Sequence, residues 1–134
     1  MLPEVVRRLF INAYARGKGK MLGCVFCRID ARQKPGRILY EDELCFVLKD
    51  INPQAPVHLL IIPHKHIVSL NEDLEGDKAL LGHLLTVAAR MAKEQGVDGT
   101  GYRIVINTNA EAGQTVFHLH IHLLGGRVLR WPPG

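Results

Sequence analysis

Gly113-Gln114-Thr115-Val116-Phe117-His118-Leu119-His120-Ile121-His122-Leu123-Leu124 is the stretch that decides how this chain folds. In an extended strand successive side chains point to opposite faces. A strand over residues 115–124 would therefore carry Val116, His118, His120, His122 and Leu124 on one face. The other face would carry Phe117, Leu119, Ile121 and Leu123, all apolar. This pattern predicts a sheet whose apolar side packs into a core and whose histidine side lines a site. A lone strand histidine is ordinarily a satisfied core or surface residue, but three in register point to chemistry. Such a row suits a metal, for which imidazole is a common ligand. It equally suits a nucleophile with attendant groups, because an imidazole nitrogen can attack phosphorus and form a covalent intermediate. Neighbouring imidazoles resist joint protonation, which favours at least one neutral ring near pH 7. Spacing alone leaves both chemistries open.

Outward from this row, the chain reads as strands joined by short turns with one long helix inserted. Residues 57–62 form an apolar run broken only by His58 and stopped by Pro63, the pattern of a central strand buried on both faces. Residues 37–40 and 44–48 read as a hairpin across Glu41-Asp42-Glu43. A short helix is expected over residues 26–32, closed by Pro35-Gly36. Leu80, Leu84, Val87, Ala88 and Met91 recur at helical spacing, predicting a helix over residues 77–95 stopped by Gly96. Residues 102–107 read as one more strand. The sum is an antiparallel sheet in an α+β domain, with no repeat, linker or low-complexity block.

The chain has 134 residues, 47% hydrophobic and 22% charged, the size and composition of one globular domain. Its formal charge of +4, with basic residues gathered in the first forty positions, suits anionic ligands. It forms no basic stripe of the kind nucleic acids require. No apolar run reaches the roughly 18 residues of a membrane span. Residues 1–22 read as a basic tail or helix, and residues 23–134 as the domain. The tail lacks the apolar stretch of a secretory signal. An Arg-rich leader with Glu4 as its one acid also fits an organellar presequence, against the default of a cytoplasmic protein. Cys24, Cys27 and Cys45 cannot all pair with one another, which favours reduced thiols.

The stretch from Gly113 to Leu124 resembles the histidine-triad (HIT) signature, His-x-His-x-His followed by apolar positions. Three further segments are similar to the Hint branch of that superfamily. They are Asp50-Ile51-Asn52-Pro53-Gln54-Ala55-Pro56-Val57-His58, then Ile61-Ile62-Pro63-His64-Lys65-His66, and Gly125-Gly126-Arg127 with the Trp131-Pro132-Pro133-Gly134 terminus. The resemblance implies a five-stranded antiparallel sheet with two helices, paired into a homodimer with a joined sheet. It also implies hydrolysis of adenosine 5′-phosphoramidates and aminoacyl-adenylate-like compounds to AMP through a nucleotidyl-histidine.

Carried onto this chain, the resemblance makes His120 the nucleophile and His58 the residue that bonds its other ring nitrogen. His122 and Asn107 would bind phosphate oxygens, and Thr115 would give a proton to the leaving group. His118 completes the catalytic triad, and Gln114 joins the nucleotide-binding residues. Asp50 would accept from the ribose hydroxyls, while Val25, Phe26, Ile29, Leu48 and Ile51 would hold adenine. Read without the resemblance, those apolar residues are equally core, and Asp50 is equally a turn residue. Trp131 would set leaving-group selectivity from a tail that crosses the dimer. Thr115 stands where many Hint proteins have serine, and Gln-Thr-Val also occurs in dinucleoside-polyphosphate hydrolases. That activity is the alternative enzyme, and a non-enzymatic nucleotide- or zinc-binding module is the alternative outside catalysis. No cofactor is expected for catalysis. Cys24-Val25-Phe26-Cys27 offers two metal ligands, and relatives complete a structural zinc with residues matching His66 and His118.

Overall fold

The computed structural model describes residues 23–33 and 36–134. The expected tail over residues 1–22 lies outside the described residues. Five strands form one antiparallel sheet: β1 (Ile38–Glu41), β2 (Cys45–Lys49), β3 (Val57–Pro63), β4 (Tyr102–Val105) and β5 (Ile121–Gly125). Their order across the sheet is β1-β2-β3-β5-β4, so among the described residues the expected five-stranded α+β architecture with two α-helices is the one observed. Helix α1 (Val25–Asp30) lies on one face and α2 (Lys78–Glu94) on the other.

Alternation in the central strands builds two cores at once. Cys45 and Val47 of β2, Leu59 and Ile61 of β3, and Ile121 and Leu123 of β5 pack with Leu84, Val87, Ala88 and Met91 of α2. Phe46 and Leu48 of β2 with Leu60 and Ile62 of β3 pack with Phe26 and Ile29 of α1. Both faces of β2 and β3 are thus covered, which is why these strands read as unbroken apolar runs. The β1–β2 turn is made by Asp42, whose Oδ1 accepts from the backbone N–H groups of Leu44 and Cys45 at 2.8 and 2.9 Å. Its other carboxylate oxygen lies 2.7 Å from Nε2 of His83 on α2, and Arg90 donates to the Tyr40 hydroxyl at 2.7 Å. These bonds tie the hairpin to the long helix.

The main departure from expectation is the histidine strand. Only Ile121–Gly125 pairs in the sheet, and residues 115–120 run outside any ladder. Beyond Ile121 the Leu119 N–H turns instead to the Ile67 carbonyl, 2.6 Å away. Phe117, assigned by alternation to the core face, is 47% exposed, while Leu119, Ile121 and Leu123 are buried as expected. The first strand pair and β4 differ from the expected bounds by one or two residues.

Candidate active site and cysteine–histidine cluster

The register brings His58 and His122 together on the α1 face. His58 faces Leu124 and Leu60 faces His122 across β3 and β5, so the two histidines are diagonal neighbours. Hydrogen-bond partners then set each ring's tautomer. The Gln54 N–H donates to Nδ1 of His58 at 3.0 Å, which leaves the proton of a neutral His58 on Nε2. That nitrogen lies 2.9 Å from Nδ1 of His122 and 3.2 Å from the Asp50 carboxylate. With Nδ1 accepting, His122 carries its own proton on Nε2. His120 donates from Nδ1 to the His118 carbonyl at 2.7 Å, so its Nε2 holds a lone pair.

The expected bond from His58 to His120 is therefore not the one made. The backbone of His118 orients His120, and His58 orients His122. Burial pushes both His120 and His58 below the ordinary imidazole range, against the pull of Asp50. Burial and the neighbouring His120 and His58 rings bring His122 down to about 4. All three rings are neutral near pH 7.

His120 and His122 open onto a cavity of about 590 Å³, with His58 buried behind His122. His120, His122, Asn107, Asp50 and Thr115 line it, with Val25, Phe26, Ile29, Leu48 and Ile51. The apolar residues are both core and wall: Phe26, Ile29 and Leu48 are buried in the α1 cluster, whereas Ile51 at the rim is fully exposed. Asp50 is likewise both turn residue and lining, since its Oδ1 accepts from the Asn52 N–H at 2.8 Å.

Three expected site residues lie elsewhere. Gln114 is buried and spends its amide on the Asn109 N–H and the Val68 and Val116 carbonyls, holding its loop rather than lining the cavity. His118 is fully buried and joins the cysteine cluster. Trp131 is 81% exposed and does not line this cavity. Sequence reasoning in turn missed Gly36, Arg37, Lys49, Leu60, Gly113 and Val116, which also line the cavity. Period-2 alternation from Ile62 would have found Leu60. Gly36 is explained by packing, because a Cβ there would meet Cγ2 of Ile29 at 2.6 Å.

Behind this cavity, Cys24, Cys27, His66 and His118 present four ligand atoms, all within 4.8 Å of one another. His118 donates from Nε2 to the Pro63 carbonyl at 2.8 Å, which leaves Nδ1 as a lone pair aimed into the cluster. That Nδ1 lies 3.3 Å from Sγ of Cys24, 3.5 Å from Sγ of Cys27 and 3.1 Å from Nδ1 of His66. Tetrahedral zinc with bonds of about 2.0 to 2.3 Å separates its ligand atoms by roughly 3.3 to 3.8 Å, so the set fits such an ion. A hydrogen bond from Cys27 leads the effects that bring the Cys24 thiol down to about 3, aided by His118 against burial. Thiolate is the form a metal takes.

His64 sits between these elements. Its Nδ1 lies 2.9 Å from both carboxylate oxygens of Asp30 on α1, and its Nε2 lies 2.8 Å from the Asp42 carbonyl. The ring stacks on Phe46.

The HIT domain family matches residues 31–129. An uncharacterised HIT-like protein of Synechocystis is 54% identical over 110 residues, covering 82% of this chain and 96% of its own length. The crystal structure of a HIT family hydrolase from Legionella pneumophila superposes with a TM-score of 0.81 at 46% identity, covering 83% of this chain and 99% of that one. A zinc-bound histidine triad family protein from Mycobacterium smegmatis gives 0.68 at 36% identity, over 79% and 76% of the two chains. With the family matched across residues 31–129 and His120 and His122 lining one cavity with His58 hydrogen-bonded behind His122, this chain belongs to the histidine triad family.

Proposed function

We propose that the protein is a nucleotide hydrolase that cleaves adenosine 5′-phosphoramidates and aminoacyl-adenylate-like compounds, with residues 23–134 as its catalytic domain. The observation that carries this reading is the tautomer of His120: its Nδ1 proton is committed to the His118 carbonyl, leaving Nε2 as a neutral lone pair on the nucleotide cavity. Nε2 attacks phosphorus and forms an N–P bond. The P–N bond to the leaving amine breaks, and its electron pair stays on the amine nitrogen. That nitrogen takes a proton across the Thr115 hydroxyl. Water then hydrolyses the nucleotidyl-histidine, releasing AMP and restoring His120.

His122, protonated at Nε2 through the relay from His58, donates to a phosphate oxygen where charge builds up, and Asn107 joins it. Asp50 receives the ribose hydroxyls, and the apolar wall from Val25 to Ile51 takes the purine. Cys24, Cys27, His66 and His118 would hold a structural zinc, which supplies no chemistry to the reacting atoms but fixes α1 against the triad loop. β4 is an edge strand, and an uncovered edge invites a second copy. We assign the homodimer to this edge, with Trp131 of the exposed tail reaching toward the other protomer's site.

Turnover of adenosine 5′-phosphoramidate by the wild type beside His120→Ala tests the reading. Loss of AMP release with nucleotide binding retained supports it, and equal turnover in the variant overturns it.

A further inference from the structure

The end of β5 lies beside the start of β3, with Gly125 opposite Val57, and the chain then turns at Gly126 through a φ of 91°. A Cβ on Gly126 would meet Cβ of Pro56 at 3.0 Å, so glycine at this left-handed position lets the backbone pass tightly against the loop before β3. Arg127 uses that approach. Its Nε donates to the Gln54 carbonyl at 2.9 Å and its Nη1 to the Val128 carbonyl at 3.0 Å. One rigid, planar guanidinium thus spans the loop and the chain beyond β5. Arg103 on β4 holds that same chain through the Leu129 and Arg130 carbonyls, at 3.4 and 3.0 Å. Gln54 is tied in two further ways: its side-chain amide donates to the Asn52 carbonyl at 3.1 Å, and its N–H donates to Nδ1 of His58 at 3.0 Å. The carbonyl and the N–H of Gln54 lie on two peptide planes that meet at its Cα. With the side chain anchored, holding one plane limits rotation of the other.

We propose that Arg127 is a positioning residue, which aims the Gln54 N–H at His58 and so sets the nitrogen on which His122 carries the proton that meets the phosphate. Its consequence for turnover rests on the hydrolase reading; its consequence for the tautomers does not. In a neutral imidazole, the nitrogen that accepts a hydrogen bond is the one without the proton. While Gln54 donates to Nδ1, His58 carries its proton on Nε2, 2.9 Å from Nδ1 of His122. His122 then keeps its own proton on Nε2. With the Gln54 N–H turned away, His58 can hold its proton on Nδ1 instead, and its Nε2 becomes an acceptor. His122 would then turn its Nδ1 proton to meet that acceptor, and its Nε2 would present a lone pair to phosphate oxygens that need a donor. Asp50, 3.2 Å from Nε2 of His58, favours the working arrangement as well. Loss of Arg127 should therefore bias the relay rather than abolish it, at about tenfold in kcat, the lower end for partners that orient a functional histidine from behind. Arg127 is itself exposed and lies outside the lining of the nucleotide cavity.

The test compares the full chain with Arg127→Ala and Arg127→Lys. Long-range proton–nitrogen spectra of the histidine rings read the tautomers directly. The wild type should show His58 and His122 both protonated on Nε2, and Arg127→Ala should move both rings toward protonation on Nδ1. Arg127→Lys, which keeps one donor for the Gln54 carbonyl, should restore most of the wild-type pattern. With adenosine 5′-phosphoramidate, kcat should fall about tenfold in Arg127→Ala and largely recover in Arg127→Lys, while KM and AMP affinity hold.

Unchanged tautomers in Arg127→Ala overturn the proposal, whatever happens to turnover. A loss of kcat that comes with lost AMP affinity and that lysine does not recover marks a merely structural role and overturns it too. If the wild type turns over no phosphoramidate, the hydrolase reading fails, and the ring spectra alone still decide whether Arg127 sets the relay.

Discussion

Asp30→Ala isolates how the site is held together. Asp30 and His64 are both buried, and the carboxylate meets Nδ1 of His64 at 2.9 Å. Removing one member of a buried charged pair costs about 3 to 5 kcal/mol, because the other is left desolvated and unmatched. Here the Asp42 carbonyl keeps Nε2 of His64 occupied, which places the expected loss at the lower end, about 3 kcal/mol. Unfolding entropy of about 2.1 cal/mol/K per residue amounts to roughly 0.28 kcal/mol/K for this chain, so the melting temperature should fall by about 11 °C. The loss has a functional side, since α1 carries Phe26 and Ile29 of the nucleotide wall and is bounded by Cys24. Releasing its C-terminal end should weaken AMP binding while the triad itself is untouched. Urea denaturation followed by circular dichroism, with AMP titration calorimetry on the same samples, reads both effects. A stability loss below about 1 kcal/mol with unaltered AMP affinity would refute the idea that this pair anchors α1.

Three further outcomes are expected. Zinc at about a hundred times its dissociation constant should add about 2.7 kcal/mol of stability, so chelation should lower the melting temperature of the wild type but not that of Cys27→Ser; equal shifts in both would remove the metal from the cluster. Because folding depresses the titration of His58, His120 and His122 below 6.5, the stability they contribute is complete above that pH. It is lost as pH falls, for His122 through about 4, so urea midpoints of metal-free protein should drop between about pH 7 and pH 4.5; midpoints that hold or rise would contradict the neutral-ring assignment. Sedimentation at micromolar concentration should give twice the mass of the chain, and a monomer would exclude pairing through β4.

Much of the fold is legible because local patterns and tertiary packing agree. The apolar runs of β2 and β3 announce strands covered on both faces, and Gly96, with its positive φ of 75°, follows the α2 C-cap. The histidine row is legible as a site but not as a single strand. Alternation of burial holds from Leu119 to Leu123 and breaks before them, because the backbone ahead of Ile121 bonds to the Ile67 loop rather than to β3. That break buries His118 in the cysteine cluster, exposes Phe117 and turns the Gln114 amide inward. The partner of His58 was equally hidden, since diagonal contact depends on the β3–β5 register rather than on spacing along the chain. Gly36 shows the same limit: its need for hydrogen in place of Cβ comes from Ile29, which packs against it only in the folded chain.

The central claim is that Nε2 of His120 becomes covalently bonded to the nucleotide phosphorus. Rapid quenching into alkali during turnover of an adenosine 5′-phosphoramidate, followed by peptide mass spectrometry, measures this directly. The account predicts one adenylyl group on His120, formed within the first turnover and missing from His120→Ala. An adduct on His118 or His122, or AMP produced with no adduct on any histidine, would contradict it.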